Sequence, residues 1–154
     1  MDDQLQRDET TMPVHSDEQA DRLEAAIATH LEPYNIDELT THFWCKGLYC
    51  RVIELPADTV AVGKRHAVEN FLLLVRGEMS LSVDEGVKRI AAPYMVKTMP
   101  GDKRVGYTHT NVTMITFHPN PDDCEDVSVL ESRYIIEEPA LTDERVRELL
   151  EDAR

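Results

Sequence analysis

The sequence predicts an all-β sandwich or jelly roll with a helix near each end. Three observations point to it. Apolar residues alternate with period two through much of the chain from Trp44 to Phe117. Turn signals built on Gly, Pro and Asp cut that alternation into roughly six to nine short strands. Helical spacing of apolar residues occurs only towards the two ends, and no internal repeat or low-complexity tract competes with this pattern.

The elements follow in order. Residues 1–40 form an acidic arm and an amphipathic helix, residues 41–136 the β domain, and residues 137–154 a C-terminal helix. Met1 to Val14 is polar and aperiodic, which predicts an arm. Ser16 and Gln19 make a capping box, with Asp17 and Glu18 suited to the positive end of the helix dipole. Ala20, Leu23 and Ile27 form one stripe, with Leu31 near its end and Pro33 as the stop. So narrow a stripe needs a surface, either its own barrel or a neighbouring subunit.

From Trp44 the period changes to two, and Tyr49, Arg51, Ile53 and Leu55 alternate with Leu48, Cys50, Val52 and Glu54. Pro56-Ala57-Asp58 makes a turn, Val60 to Val62 a short strand, and Gly63 a break. Glu69 to Val75 is apolar on both sides, as an interior strand requires. Met79, Leu81 and Val83 alternate with Glu78, Ser80 and Ser82, and Asp84-Glu85-Gly86 returns the chain as Val87 to Ala91. Pro93 to Met99 reads as a strand closed by Pro100-Gly101-Asp102, and Val112 to Phe117 as one ending at His118. Residues 118–124 are a loop by composition, and Val129 to Ile136 is a β-prone final strand. Thr142 caps the last helix, whose apolar face is Val146, Leu149 and Leu150.

The chain of 154 residues fits one domain and carries a net charge of −14. Residues 1–40 hold 11 acids and 2 bases, residues 41–120 hold 7 and 10, and residues 121–154 hold 12 and 4. A slightly basic centre between acidic flanks disfavours nucleic-acid binding, which needs a positive footprint. No stretch approaches the roughly 20 apolar residues of a membrane span, and the polar N-terminus predicts no signal peptide. Cys45, Cys50 and Cys124 fit neither a disulfide framework nor a zinc site, so reduced thiols are expected.

At Gly63 to Gly77 and at Pro100 to Arg104 the chain resembles the cupin, or RmlC-like jelly-roll, superfamily. Its first motif runs G-x5-H-x-H-x3-4-E-x6-G, and its second is built around P-x-G-x2-H. Anchored on Gly77, the glutamate position falls on Asn70 and the two histidine positions on His66 and Lys64; the third histidine falls on Arg104. One ligand of four survives. Lysine and arginine donate no lone pairs and repel a cation, so the resemblance implies a degenerate metal site: no metal and no cofactor. Glu69, His109 and His118 are alternative pocket candidates, His66, Glu69 and His109 as a slipped site. Lys64, His66, Asn70 and Arg104 together would make a cationic pocket for a small anion.

The runs GLYCRVIELPADTVAVGKRH, RGEMSLSVDEGVKRIAAPYMVKTMPGDKRVGY and NVTMITFHPN are similar to small cupin-like proteins of tailed bacteriophages, over about residues 47–120. That resemblance implies a non-enzymatic structural or assembly protein of the virion, a tail or head accessory component assembled in the host cytoplasm. Its partners would be further copies of itself and other virion proteins, gripped by the N-terminal arm and end helices. The alternatives are a small cupin enzyme, either a metal-dependent dioxygenase or a metal-independent epimerase-like enzyme, and a small-anion-sensing cupin module. Each of these would be cytoplasmic, and an epimerase-like enzyme would use His66 or His118 as base.

Overall fold

Period-two alternation becomes two antiparallel sheets in the computed structural model, which describes residues 17–30, 34–83 and 86–138 and the isolated positions 142, 144 and 147. The strands are β1 (Thr40–Cys45), β2 (Gly47–Leu55), β3 (Val60–Val62), β4 (Asn70–Arg76), β5 (Glu78–Val83), β6 (Gly86–Ala91), β7 (Tyr94–Thr98), β8 (Val105–Thr108) and β9 (Val112–Asn120). Helices α1 (Asp17–His30) and α2 (Val127–Tyr134) flank them. One sheet has the order β1-β2-β9-β4-β7, the other β3-β8-β5-β6. The chain changes sheet at Gly77, whose φ of +90° opens the corner between β4 and β5. A Cβ there would lie 2.3 Å from the Asn111 carbonyl oxygen, so only glycine fits.

Register explains how the interior divides. In the larger sheet Ile53 pairs with Met114 and Leu74 with Met114, while Leu55 pairs with Val112. These inward rows meet Met79, Leu81 and Ile90 of the other sheet and form the main core. Two rows further along the same face, Arg51 pairs with Thr116, Tyr49 with His118, and Asn70 with Thr98. One end of the barrel interior is therefore apolar and the other polar.

The expected final strand at Val129 to Ile136 is instead α2. The Asp126 carboxylate caps it by accepting from the Ser128 and Val129 amides. Leu130 and Tyr134, one turn apart, bury against Tyr49. A cap and an i, i+4 apolar pair outweigh β-propensity here. Only Ile135 keeps a sheet contact, a single bridge to His66. Three smaller differences belong with this one. β1 begins at Thr40, ahead of Trp44, and β8 is a strand the alternation did not mark. β9 runs past His118 to Asn120, inside the expected loop. Pro119 is tolerated there because the last β4 partner is Phe71, opposite Phe117, so β9 is an edge on that side. The expected C-terminal helix, with Val146, Leu149 and Leu150, lies outside the described residues apart from isolated positions, as does the arm.

Helix α1 lies on its own barrel, with Ala20 and Ala25 buried. Its anchor is Lys103, whose ammonium donates to Asp21 at 2.8 Å, Glu24 at 2.7 Å and Glu138 at 3.0 Å. The Lys103 side chain is 2% exposed while the acids keep water contact. Lys103→Met strands three carboxylates, and we expect it to cost about 2 kcal/mol, less than the roughly 3–5 of a fully buried pair. The urea midpoint should fall and amide exchange across residues 17–30 should quicken. An unchanged exchange rate in α1 would show that the ammonium does not hold the helix.

Candidate functional site

The polar end of the barrel interior gathers Arg51, His66, Asn70, Thr116 and His118 beneath α2. Strand β2 aims Arg51 inward because it shares a face with Tyr49, Ile53 and Leu55. Arg51 is 11% exposed at its side chain, and its Nη1 stands 3.8 Å from the Glu131 carboxylate on α2. His118, buried on β9, shares a 3.1 Å hydrogen bond with the Thr116 hydroxyl through Nε2. Its ring stacks on His66 at 6.0 Å between centroids and on Tyr134 at 5.1 Å. Tyr134 donates to the Pro119 carbonyl, and Tyr49 shares a 2.8 Å hydrogen bond with His42 Nδ1, which closes the apolar side of the cluster.

Four buried atoms of this cluster have no hydrogen-bond partner within the protein: Arg51 Nε, His66 Nδ1, Asn70 Nδ2 and His118 Nδ1. Each such atom costs about 1–3 kcal/mol unless something pairs with it. Burial pushes the His118 pKa down to about 4, helped by the neighbouring His66 and the Arg51 charge. Burial lowers His66 as well, and Arg51 adds to it. Both rings are neutral at pH 7.

The sequence candidates divide sharply. His66 and Asn70 lie at this end, and His118, an alternative candidate, is beside them. Lys64 does not enter the interior: it is exposed and reaches Glu131 at 3.4 Å from the outside, on the same carboxylate oxygen that Arg51 faces. Arg104 reaches the rim, but its guanidinium donates to the Ser82 and Lys97 carbonyls and to Asp102, and it is saturated by the backbone it braces. The expected convergence of Lys64, His66, Asn70 and Arg104 is thus corrected to Arg51, His66, Asn70 and His118. Nor does a slipped His66–Glu69–His109 site form. Glu69 is exposed and bonds Lys97 at 2.9 Å, and His109 bonds the Ser80 hydroxyl on the outer face of the smaller sheet. Arg51 was missed, although its place in an otherwise apolar inward series is a visible signal.

Cupin barrels commonly cage a divalent ion at this end, so the donor set decides whether one fits. Among the described residues no three His, Cys, Asp or Glu side chains converge to hold a metal ion. Two imidazoles beside a permanent guanidinium charge repel a cation and offer it too few lone pairs. The residues do not fit a metal centre.

No protein-family model matches the chain, and no curated protein does. Solved structures do. A salicylate 1,2-dioxygenase from Pseudoaminobacter salicylatoxidans matches with a TM-score of 0.51 and 10% identity, over 76% of this chain and 36% of that one. The polyketide cyclase RemF from Streptomyces resistomycificus matches with 0.44 and 15%, over 53% and 66%. A cupin domain of an XRE family transcriptional regulator from Enterobacter cloacae matches with 0.45 and 10%, over 53% and 96%. The chain therefore has the cupin, RmlC-like jelly-roll fold. The chain spans about a third of the dioxygenase it resembles. The structure matched with a TM-score above 0.5 is described as a dioxygenase, and none of the three is described as a virion protein. The expectation of a non-enzymatic structural protein of a phage virion is corrected on these findings. No described helix is long and apolar enough to cross a membrane.

The neutral state of His118 has a measurable consequence. The unfolded ring takes up its proton near the ordinary pKa of 6.5 and the folded ring only at about 4, so its contribution is complete above pH 6.5 and is lost as pH falls to 4. The loss is of order 3 kcal/mol. His118→Gln should flatten the fall of urea stability between pH 7 and 4.5 relative to the parent chain. Parallel curves for the two proteins would mean that the ring is not held neutral.

Proposed function

We propose that the polar end of the barrel binds a small anionic metabolite, bearing a carboxylate or a phosphate, without a metal ion. The observation that carries this reading is the set of four unpartnered buried polar atoms on Arg51, His66, Asn70 and His118. An anion supplies acceptors to these groups, and it offers the Arg51 guanidinium a closer partner than Glu131 at 3.8 Å. Neutral imidazoles suit the task because they can donate without adding repulsion to the guanidinium. The tyrosine and leucine side chains of the second cluster, Tyr49, Leu130 and Tyr134, screen this end from water and strengthen such contacts.

Binding an anion raises the pKa of the imidazoles it touches, so complex formation takes up protons. Affinity should therefore rise as pH falls from 7 towards 5.5. Calorimetry with inorganic phosphate, acetate and a dicarboxylate such as succinate tests this. Arg51→Gln should weaken binding at least ~10-fold, the scale of one charge-assisted hydrogen bond. No heat and no thermal shift with any of the three anions at either pH would remove the reading.

A second reading is favoured by one observation, the stacked pair of neutral imidazoles 6.0 Å apart. A neutral imidazole beside a bound carboxylate is placed to accept a proton, the work of a metal-independent, epimerase-like enzyme. The two readings part at His118→Gln. An enzyme loses turnover while keeping ligand, and a sensor shows ligand binding with no solvent exchange at carbon in either protein.

A further inference from the structure

One side chain of α2 faces both the inside and the outside of the barrel. Leu130 and Tyr134 pin the helix to Tyr49, and Glu131 shares a helix face with Tyr134, three positions on. Tyr49 and Arg51 are two residues apart on the inward face of β2, which brings Glu131 beside the guanidinium. Its Oε1 lies 3.8 Å from Arg51 Nη1 and 3.4 Å from Lys64 Nζ. The nearer cation is on the outside and the farther one in the interior. Among the described residues no other carboxylate forms an ion pair with Arg51. The helix backbone is fixed at both ends. Arg133 donates twice to Asp122 at 2.7 Å, and Tyr134 donates to the Pro119 carbonyl. Beyond the helix, the Ala67 amide donates to the Tyr134 carbonyl at 2.8 Å and the Ile136 amide to the Arg65 carbonyl at 2.9 Å. What can move is therefore the Glu131 side chain, which is 30% exposed.

We infer that Glu131 is a built-in competitor for the anion site: its carboxylate holds the place at Arg51 that a bound anion takes, and an entering anion turns it out onto Lys64. The inference rests on the anion-binding reading of the polar end and names what regulates that site. The exchange keeps every charge paired. Arg51 gives up a long contact for a ligand, and Glu131 keeps Lys64, which meets it from the water side. An anion that left Glu131 in place would sit beside a like charge in a poorly screened space, so the two exclude each other. The same carboxylate sets selectivity. Arg51 and Lys64 against Glu131 leave one net positive charge at this end, which a monoanion neutralises and a dianion exceeds.

Calorimetry of the full chain with acetate and succinate tests the inference. Glu131→Gln keeps the side-chain shape and should tighten acetate ~10-fold, and the doubly charged succinate by more, because two charges then escape the repulsion. Glu131→Ala should act in the same direction, which excludes an effect of the new amide. A double-mutant cycle separates displacement from simple charge removal. In the parent chain Lys64→Gln should weaken acetate ~5-fold, since Glu131 loses its outer partner and returns to Arg51; in the Glu131→Gln background the same change should cost less than ~2-fold. Equal losses in the two backgrounds would show Lys64 acting only as a distant charge, and they overturn the inference. So does an acetate affinity that neither Glu131 substitution changes, although anion binding itself then stands. Silence of the parent and of both Glu131 variants towards both anions removes the anion-binding reading and the competitor with it. Binding by the Glu131 variants alone supports both.

Discussion

Arg51 is the constraint around which the polar end is arranged. Strand periodicity turns its side chain inward, into a space most of which is apolar, and a guanidinium cannot shed its charge there. At an effective dielectric of ~20, two unit charges about 5 Å apart interact by about 3 kcal/mol, enough to decide which neighbours may be charged. His66 and His118 respond by staying neutral, each pushed down by burial and by Arg51. Glu131 responds by standing near, and α2 holds it there. The long 3.8 Å separation leaves the guanidinium incompletely paired, and that incompleteness is what a ligand would complete.

The same alternation serves two ends differently. Near Gly77 the inward rows carry Leu55, Leu74, Val112 and Met114, which pack against Met79 and Leu81 and hold the sheets together. Two rows away the positions carry Arg51, Thr116, His118 and Asn70. A cavity or a polar group placed in the first set would cost stability directly. In the second set the cost is already incurred, and it is contained because α2 caps that end with Leu130 and Tyr134. The apolar core and the polar end are thereby separated along the barrel axis.

Much of this was legible in the sequence. Alternation marked β2, β5 and the body of β9, and the count back from Gly77 placed His66 and Asn70 at the polar end. The motif count fails at Lys64 and Arg104 for a physical reason: it fixes a backbone position, not where a long side chain ends. Lys64 lies outside any strand and extends to solvent, and Arg104 finds carbonyl acceptors before it reaches the interior. Arg51 was legible as a charge in an inward series, yet it reads equally as one of many bases balancing acidic flanks. α2 was hidden because Val129, Tyr134, Ile135 and Ile136 are all β-prone, and only tertiary burial of Leu130 and Tyr134 reveals the helical period.

A barrel of this kind has no inherent preference for the sign of what it holds. Cations are favoured where imidazoles and carboxylates aim lone pairs at one point, and anions where donors and a permanent positive charge do so. The motif count puts Asn70 at the carboxylate position, a neutral group with an unpartnered N–H, and Arg51 brings a guanidinium whose Nε is buried and unpartnered. Each change alone weakens a metal site. Together they reverse its electrostatics while leaving the backbone frame, the two imidazoles and the shielding from water in place. The same frame would then suit an anion, because strand register turns Arg51, Asn70, Thr116 and His118 towards the same end of the interior.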